Sequence, residues 1–390
     1  MTDVCLLFQV HQPYRLKDFS FEKIGKDHAY EHTALNIAIL NRVADQCYLP
    51  ANQMLLEAIR KQEGRFKIAF SISGTALEQF FRYRPDVLDS FRQLSETGCV
   101  EFLAETYYHS LAGLFSPSEF RRQVVKHEKA IQNLLDVKPT VFRNTELLYS
   151  DALLPSIEGL GFKTFVAEGK PSCMGNQEPS RIFRSVSGGS RILARHQELS
   201  DRIAFPEEGA SSSVGLHNFF KALQMEGEKK GCISLYLDFE TFGEHQKKES
   251  GIFRFLEKFP EELCRQSNFR SALPSDAALD GPDNKPVYQS ETWTSWADEE
   301  KDAAAWTGNH LQQDALAQLY ACEPLLFRLG KPELLDVWGR LQSSDHFYYM
   351  STRYRDNPVH KVFSPYGNPY DAYLNFMNVL SDFRRMLQMA

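Results

Sequence analysis

The chain has little cysteine, and the cysteines that it has are scattered. Its 390 residues include only Cys5, Cys47, Cys99, Cys173, Cys232, Cys264 and Cys322, and no two of them form a Cys-x-x-Cys pair. An odd number of unclustered cysteines argues against a zinc ribbon and against a framework of disulfides. We therefore expect reduced thiols in a cytoplasmic protein.

The sequence also lacks a long apolar run and an excess of positive charge. No stretch approaches the roughly 20 apolar residues of a membrane-spanning helix, and the first residues do not resemble a signal segment. A net charge of −7 at pH 7 opposes binding to a phosphate backbone. We expect neither a membrane nor a nucleic acid as partner, and the sequence does not predict the oligomeric state.

The segment from Cys232 to His245 combines a strand pattern with two carboxylates at the strand's end. One face of the predicted strand carries Ile233, Leu235, Leu237 and Phe239, and the other carries Ser234, Tyr236, Asp238 and Glu240. A buried carboxylate is costly unless it is paired or hydrogen-bonded. A single strand end of this kind would favour a salt bridge in a loop.

Four further predicted strands end in polar residues in the same way. They begin near residues 4, 100, 140 and 164, and their polar ends contain Gln9, His11, Glu101, Glu105, His109, Asn144, Glu146 and Glu168. Helical patterns follow most of them, which predicts a parallel sheet. Because chemistry collects at the carboxyl ends of parallel strands, these residues predict an active site on one rim.

The last third of the sequence changes character. The stretch 274–286 is rich in Pro, Gly and Asp and predicts a linker, and the pattern beyond it is helical. The last predicted helix begins near Asn368 and carries an apolar stripe at Tyr373, Phe376, Met377, Leu380, Phe383 and Leu387.

Three tryptophans, Trp293, Trp296 and Trp306, lie just beyond the predicted linker. Such residues are more often buried in a core, but Glu291, Ser295, Asp298 and Asn309 give these a polar setting. A ring among hydrogen-bonding groups suits the apolar face and polar rim of a sugar. We expect at least one ring at the catalytic rim, with Trp293 as the best candidate.

Five ordered motifs resemble those of glycoside hydrolase family 57, and its α-amylase-type subgroup in particular. They are His11-Gln12-Pro13, Glu105-Thr-Tyr-Tyr-His109, Asn144-Thr145-Glu146, Asp238-Phe-Glu-Thr-Phe-Gly-Glu-His245, and the segment containing Trp296-Ala-Asp298 and Trp306-Thr-Gly-Asn309. The resemblance covers about residues 4 to 346. It implies a (β/α)7 barrel, an incomplete TIM-like barrel, in residues 1–270, with a helical domain in residues 271–390 that closes over the catalytic rim.

The resemblance also implies a reaction, with no cofactor and no metal. The substrate would be an α-glucan with α-1,4 linkages, such as starch, glycogen or a maltooligosaccharide, hydrolysed with retention through a covalent glycosyl-enzyme intermediate. The matching positions make Glu146 the nucleophile and Asp238 the general acid/base. We predict substrate contacts from His11, Gln12, Glu105, His109, Glu240, Trp293, Asp298, Trp306, Asn309 and Asp345.

Retaining hydrolysis requires one ionised and one protonated carboxyl group, about 5 Å apart. Glu146 and Asp238 belong to different predicted strands, so they can face each other only if the sheet closes into a barrel. Burial, with help from Glu240, would raise the pKa of Asp238. Arg143 and His11 would keep Glu146 ionised.

Three other interpretations remain open from the sequence. A metal-dependent deacetylase on a related barrel would need clustered ligands, whereas the histidines at positions 11, 109, 245 and 310 are scattered. A catalytically silent glucan-binding protein would keep the cleft. A 4-α-glucanotransferase or branching enzyme would use the same two carboxylates and differ only in the acceptor. Loops 169–181 and 206–213, rich in Gly, Pro and Ser, are expected to shape the substrate subsites.

Overall fold

The computed structural model describes residues 1–205, 212–229, 231–279, 285–353 and 364–390, and it contains a sheet of nine strands. The strands are β1 (Thr2–Val10), β2 (Ile68–Ile72), β3 (Val100–Phe102), β4 (Val141–Arg143), β5 (Thr164–Glu168), β6 (Ile182–Arg184), β7 (Arg191–Arg195), β8 (Cys232–Asp238) and β9 (Phe269–Ser271).

Seven of these strands run parallel around a barrel, in the order β3-β2-β1-β8-β7-β5-β4. The two ends of this order meet where Ala104, just beyond β3, pairs in parallel with Phe142 of β4. Two backbone hydrogen bonds of 2.9 Å make this contact. The arrangement confirms the predicted α/β fold, a (β/α)7 barrel.

Two short strands extend the barrel without belonging to the ring. Strand β6 pairs antiparallel with β7, and β9 pairs in parallel with residues 2–4 of β1. The sequence pattern predicts neither of them, nor β7. Strand β5 has the predicted bounds, β4 and β8 lie within the predicted segments, and β1 begins at Thr2, before the predicted start near residue 4.

Helices surround the barrel and continue beyond it. They are α1 (Thr33–Val43), α2 (Leu49–Lys61), α3 (Gly74–Tyr83), α4 (Pro85–Ser95), α5 (Ala112–Phe115), α6 (Pro117–Leu135), α7 (Leu154–Gly159), α8 (Gln197–Ala204), α9 (Ser212–Gly227), α10 (Phe253–Arg265), α11 (Pro274–Leu279), α12 (Ala304–Thr307), α13 (His310–Tyr320), α14 (Glu323–Leu329), α15 (Pro332–Leu341), α16 (Ser344–Tyr348) and α17 (Pro369–Met389). None of the described helices is both long and apolar enough to cross a lipid bilayer.

Alternation along the strands separates two layers of the core. In β1, Val4, Leu6 and Phe8 pack outward in the same cluster as residues of α2 and α10, whereas Cys5 and Leu7 pack inside the barrel. Strand β8 follows the same rule, because Leu235 packs outward and Tyr236 packs inward. The predicted polar face of β8 is therefore the face that lines the barrel interior.

The C-terminal helices form a core of their own, which also takes in the segment after β1. Residues of α12–α17 pack with Leu16, Phe19 and Tyr30. The buried carboxylate of Asp382, on α17, accepts hydrogen bonds from the Gly25 backbone N–H and the Tyr30 hydroxyl. Helix α17 begins after Asn368, whose side chain caps it, as predicted.

The prediction of a linker over 274–286 was wrong for its first part. Residues 274–279 form α11, and residues 280–284 lie outside the described part of the chain. Ala277 and Ala278 of α11 pack into the cluster inside the barrel. The division at residues 270 and 271 remains a prediction.

Candidate active site

Six strands deliver polar side chains to the carboxyl-terminal rim of the barrel. The residues at or just beyond the strand ends are His11 (β1), Glu105 and His109 (β3), Glu146 (β4), Glu168 (β5), Arg195 (β7) and Asp238 (β8). A further segment, which we call the strap and define as residues 290–302, runs from the end of the barrel towards the C-terminal helices.

The strap braces the turn that carries Glu146. Glu146 and Leu147 both have left-handed backbone, with φ of 54° and 52°, at a cost of about 1–3 kcal/mol each. The strap's Ser295 hydroxyl donates to the backbone carbonyl of Glu146 at 2.8 Å. Thr294 and Tyr149 exchange two backbone hydrogen bonds of 2.8 and 3.0 Å. These contacts hold a strained turn in one conformation.

The carboxylate of Glu146 receives a hydrogen bond at each oxygen. His109 Nε2 lies 2.7 Å from Oε1, and the indole Nε1 of Trp296 donates to Oε2 at 2.6 Å. Burial alone would raise the pKa of Glu146. The pKa is nevertheless lowered, because the hydrogen bond and charge of His109, the hydrogen bond from Trp296 and the charge of Arg143 together outweigh burial. Glu146 is therefore ionised at neutral pH.

Behind His109 lies a second buried carboxylate. His109 Nδ1 lies 2.9 Å from Glu105 Oε2, and Arg143 Nη1 donates to the same oxygen at 3.2 Å. Burial disfavours the charge on both residues, but the two carboxylates raise the pKa of His109 to about 9, and Arg143 and His109 lower that of Glu105 to about 2. His109 is thus an imidazolium that donates to Glu105 and Glu146.

His11 lies in a layer next to His109 and does not contact Glu146. The two imidazole rings stack with centroids 4.0 Å apart. His11 Nε2 lies 2.9 Å from the Asp345 carboxylate, and Nδ1 lies 2.8 Å from the Ser73 hydroxyl. Burial and the charge of His109 lower the pKa of His11. The histidine that holds Glu146 ionised is therefore His109, whereas the sequence had suggested His11.

Asp238 has a different environment from Glu146. Among the described residues, none makes a hydrogen bond to its carboxyl group, which is partly exposed at the end of β8. Burial, followed by repulsion from Glu146, raises the pKa of Asp238 to about 7 against the lowering effect of Arg143, His109 and Arg195. A substantial fraction of Asp238 is therefore protonated at neutral pH.

Glu240 lies deeper, two residues beyond Asp238. Its Oε1 accepts hydrogen bonds from the Tyr48 hydroxyl and, at 3.3 Å, from the His11 backbone N–H. Burial and then the charge of Asp238 raise the pKa of Glu240 to about 8. Gln12 is also buried here, and its amide donates to Tyr48 at 3.0 Å. Both residues support the rim from behind.

The three tryptophans have three different environments. Trp296 contacts Glu146, as described above. Trp293 is half-buried where the core of the C-terminal helices meets the core beside β4, β5 and β7. Trp306 is only 2% exposed and packs within the core of the C-terminal helices. Its ring therefore contributes to this core and is not available to a sugar in the cleft.

Two predicted contacts near the tryptophans also have structural roles. The Asn309 side chain caps α13 by accepting from the Gln312 backbone N–H, and it donates to the Met350 carbonyl at 2.9 Å. Asp298 has left-handed backbone, with φ of 54°. The charges of Asp298 and Glu146 both raise the pKa of Tyr348, after burial, which puts Asp298 in the electrostatic environment of the site.

The structure adds two residues to those predicted from the sequence. One is Trp296, whose position beside the polar Ser295 and Asp298 was a usable signal. Arg195 was missed because β7 was missed. Loop 169–181 lies against the strap, where Lys170 donates to the carbonyls of Glu300 and Lys301 at 3.0 and 3.1 Å. Residues 206–211 of the second predicted loop lie outside the described residues.

No group of three His, Cys, Asp or Glu side chains in the described part of the chain is arranged to hold a metal ion. His11, Glu105, His109 and Glu146 pair with other charged residues, whereas Asp238 forms no ion pair with a described residue. The site can therefore hold one carboxylate ionised and another protonated on the same rim.

Comparisons with known proteins find similarity in both sequence and fold. The sequence profile of Glycosyl hydrolase family 57 matches residues 5–289. A protein of Methanocaldococcus jannaschii described as "Putative alpha-amylase" is 36% identical over 389 residues, which cover 96% of this chain and 83% of that protein.

Two solved structures share the fold at low sequence identity. The branching enzyme of Thermococcus kodakaraensis superposes with a TM-score of 0.74 at 13% identity, covering 99% of this chain and 90% of the other. The α-amylase AmyC of Thermotoga maritima gives a TM-score of 0.65 at 14% identity, with 100% and 96% of the two chains covered.

Proposed function

The chain belongs to glycosyl hydrolase family 57, and from that premise we propose that it hydrolyses α-1,4 linkages of α-glucans with retention of configuration. Glu146 is the nucleophile in this proposal, and Asp238 is the general acid/base. The observation that carries the proposal is the contrast between the two carboxyl groups. The pKa of Glu146 is lowered by two hydrogen bonds, and that of Asp238 is raised to about 7.

In the first step, Asp238 donates its proton to the glycosidic oxygen while Glu146 attacks the anomeric carbon. The bond to the leaving sugar breaks, and a glycosyl ester forms at Glu146. The imidazolium of His109 and the indole of Trp296 hold the Glu146 oxygens in place during the approach. Because Glu105 and Arg143 support His109 from behind, this arrangement is preorganised.

In the second step, the carboxylate of Asp238 takes a proton from a water molecule while the oxygen of that water attacks the anomeric carbon. The ester bond breaks and Glu146 leaves as a carboxylate. Once Glu146 is esterified, its negative charge no longer repels the charge of Asp238. The pKa of Asp238 then falls, which suits its change from acid to base.

Substrate binding is proposed to involve the rim beside these two groups. Trp293, half-buried between the two cores, is the proposed ring for the apolar face of a sugar. Asp298 and Asp345 are proposed to bind sugar hydroxyls, since both lie close enough to influence groups at the site. A domain division at residues 270 and 271 would make the cleft an interface between the barrel and the C-terminal helices.

Product analysis tests this function. The purified protein is incubated with maltoheptaose, and products are followed by chromatography and by proton NMR of the anomeric region. Shorter oligosaccharides released first as the α-anomer support retaining hydrolysis, and release of the β-anomer would contradict it. Longer products would indicate a 4-α-glucanotransferase, and new α-1,6 signals would indicate a branching enzyme. Maltoheptaose that remains unchanged would indicate a protein that only binds glucan.

The identity of the nucleophile can be tested separately. A 5-fluoro glycosyl fluoride of the α-glucose series slows the second step and allows the ester to accumulate. Mass spectrometry of a peptide digest should find the added glycosyl mass on the peptide that contains Glu146. Labelling at another residue, or equal labelling of the Glu146→Gln variant, would contradict the assignment.

A further inference from the structure

A buried ion pair occupies the rim between the two proposed catalytic carboxyl groups. Around the barrel, β8 is followed by β7, β5 and β4. Arg195 is the last residue of β7, and Glu168 is the last residue of β5. Passing from Asp238 to Glu146 along the rim, one therefore meets Arg195 and then Glu168. The proposed reaction gives neither residue a role.

Arg195 touches the structures that carry both carboxyl groups. Its Nε donates to the backbone carbonyl of Tyr236, two residues before Asp238, at 2.8 Å. Its guanidinium carbon lies 5.5 Å from the centre of the Trp296 ring, whose indole nitrogen binds Glu146. Nη2 donates to the Asp201 carboxylate at 2.5 Å. The side chain is only 4% exposed, so its contacts are with the protein.

Glu168 is the poorly satisfied member of the pair. It is fully buried, and its Oε2 lies 3.5 Å from Arg195 Nη1. Neither carboxylate oxygen accepts a hydrogen bond from any described residue. Burial raises the pKa of Glu168, and the charges of Arg195 and then Lys301 oppose that rise. Arg195 is therefore the partner that most favours the ionised form of Glu168.

The backbone brings the two strand ends together. Gly169 follows Glu168, and a Cβ atom added there would lie 2.2 Å from the backbone oxygen of Arg195. Only glycine allows this approach. The glycine that follows Glu168 therefore allows the ends of β5 and β7 to lie close together.

We propose that Arg195, with Glu168 as its counter-ion, is a positioning residue that controls the charge state of Asp238 and supports the face of Trp296. The proposal rests on the assignment of Asp238 as acid/base. Neither residue touches the substrate, because both are buried. Arg195 stabilises the ionised form of Asp238, and Glu168 partly neutralises that effect.

Other charged groups also act on Asp238, and the pair has to be distinguished from them. Glu146 and Arg143 face Asp238 from β4, His109 faces it from the loop after β3, and Glu240 and Tyr236 lie on its own segment. Glu168 in turn faces Arg195, Asp201 on α8 and Lys301 on the strap. Among the described residues, neither Arg195 nor Glu168 makes a hydrogen bond to Glu146 or Asp238, and their opposite charges can be removed separately at this place on the rim.

The two single variants should therefore move the pH dependence of kcat/KM in opposite directions. Glu168→Gln leaves Asp201 as the remaining carboxylate partner of Arg195, favours ionised Asp238 and shifts the basic limb to lower pH by about 0.5–1 unit. Arg195→Met removes the positive charge and shifts the basic limb to higher pH by a similar amount. The double variant should lie between the two single variants.

A matched control is available on the helix that follows β7. Arg202 and Glu198 form an exposed ion pair on α8, with side chains 41% and 67% exposed and an N–O distance of 2.9 Å. Glu198→Gln and Arg202→Met make the same charge changes near the same strand. Their basic limbs should coincide with that of the wild type, because exposed charges are screened.

A second measurement follows the protonation of Asp238 directly and does not require catalytic turnover. Carbon-13 carboxyl NMR of aspartate-labelled protein gives the titration of Asp238, with its signal assigned by its loss in Asp238→Asn. Opposite shifts in Glu168→Gln and Arg195→Met support the inference even if the wild type proves inactive on glucans, an outcome that would instead overturn the proposed function. Shifts in the same direction, or none, in a folded and active protein would overturn the inference. If Arg195→Met does not fold, the near-isosteric Glu168→Gln variant decides alone. A shift of the Asp238 titration to lower pH supports the inference, and no shift overturns it.

Discussion

The turn after β4 and the end of β8 present the same chemical group in opposite environments. At the first, Glu146 has left-handed backbone, its carbonyl is bound by the strap, and each carboxylate oxygen receives a hydrogen bond. At the second, Asp238 continues an ordinary strand, and no described residue makes a hydrogen bond to its carboxyl group. The first site is built to keep a negative charge, and the second is built to disfavour one.

The difference gives two carboxyl groups of one barrel opposite preferences for the proton. Hydrogen bonds favour the ionised form of the group that receives them, and burial without hydrogen bonds favours the protonated form. The same negative charge that is stabilised at Glu146 also raises the pKa of Asp238. The two environments therefore depend on each other.

The strongest test is to remove each carboxyl group in turn. Glu146→Gln should lower kcat by at least about 10⁴-fold on every substrate, because no nucleophile remains. Asp238→Asn should lose activity on maltoheptaose but keep measurable release of fluoride from an α-glucosyl fluoride, whose departure needs no acid. Initial rates on the two substrates measure the contrast. If both variants lose the same fraction of activity on maltoheptaose as on the glucosyl fluoride, the two groups do not have distinct roles.

The second test weakens the environment of Glu146 without removing the group. Trp296→Phe deletes one hydrogen bond to the carboxylate and should lower kcat by about 10²-fold with a smaller change in KM. Trp306→Phe is the matched control, since it changes a ring in the core of the C-terminal helices and should lower Tm with little effect on kcat. A larger loss of kcat in the control than in Trp296→Phe would contradict the role of the indole.

The third test follows the proton on Asp238 through the pH dependence of kcat/KM. The acid must be protonated in the free enzyme, and its pKa is raised to about 7. Activity should therefore be present below pH 7 and decline tenfold per unit above it. A profile that stays flat to pH 9 would show that Asp238 is not the acid. His109, with a pKa of about 9, would give a second decline only at higher pH.

The smallest expected effect concerns stability at Glu240. Its pKa in the folded protein is about 8, above the usual value of 4.5, so the native state binds a proton that the unfolded state releases between these values. Ionisation then costs native stability, with the full cost above pH 8 and none below 4.5. Glu240→Gln imitates the protonated form and should raise Tm by a few degrees at pH 9. At pH 4.5 its Tm should match the wild type, and a gain at both pH values would have another cause.

The sequence predicted those parts of the molecule that follow from local alternation. The predicted strand Thr164–Glu168 has the observed bounds, and the alternate faces of β8 divide between the barrel interior and the helices as the pattern required. These features depend on residues two apart in the chain. The family and the barrel fold were predicted from the order of the five motifs along the chain.

The parts that were missed depend on contacts between distant segments. Strand β7 has only three apolar residues between two arginines, so its pattern resembled a loop until pairing with β5 and β6 was known. The choice among three tryptophans also could not be made locally, because it depends on where the strap crosses the turn at Glu146. Whether His11 or His109 reaches Glu146 is likewise a question of side-chain direction on different strands.

The position of β1 in the centre of the sheet has a consequence for synthesis on the ribosome. All nine residues of this strand are buried, and its partner β8 follows far behind, with 227 residues separating Cys5 from Cys232. At cellular rates of translation the partner emerges on the order of 10 s or more after β1. Strand β2, which pairs with the other edge of β1, emerges much earlier, so the edge that β8 covers is the one that stays unpaired longest. Slower translation of residues 11–231 therefore lengthens the time for which this edge of residues 2–10 has no partner.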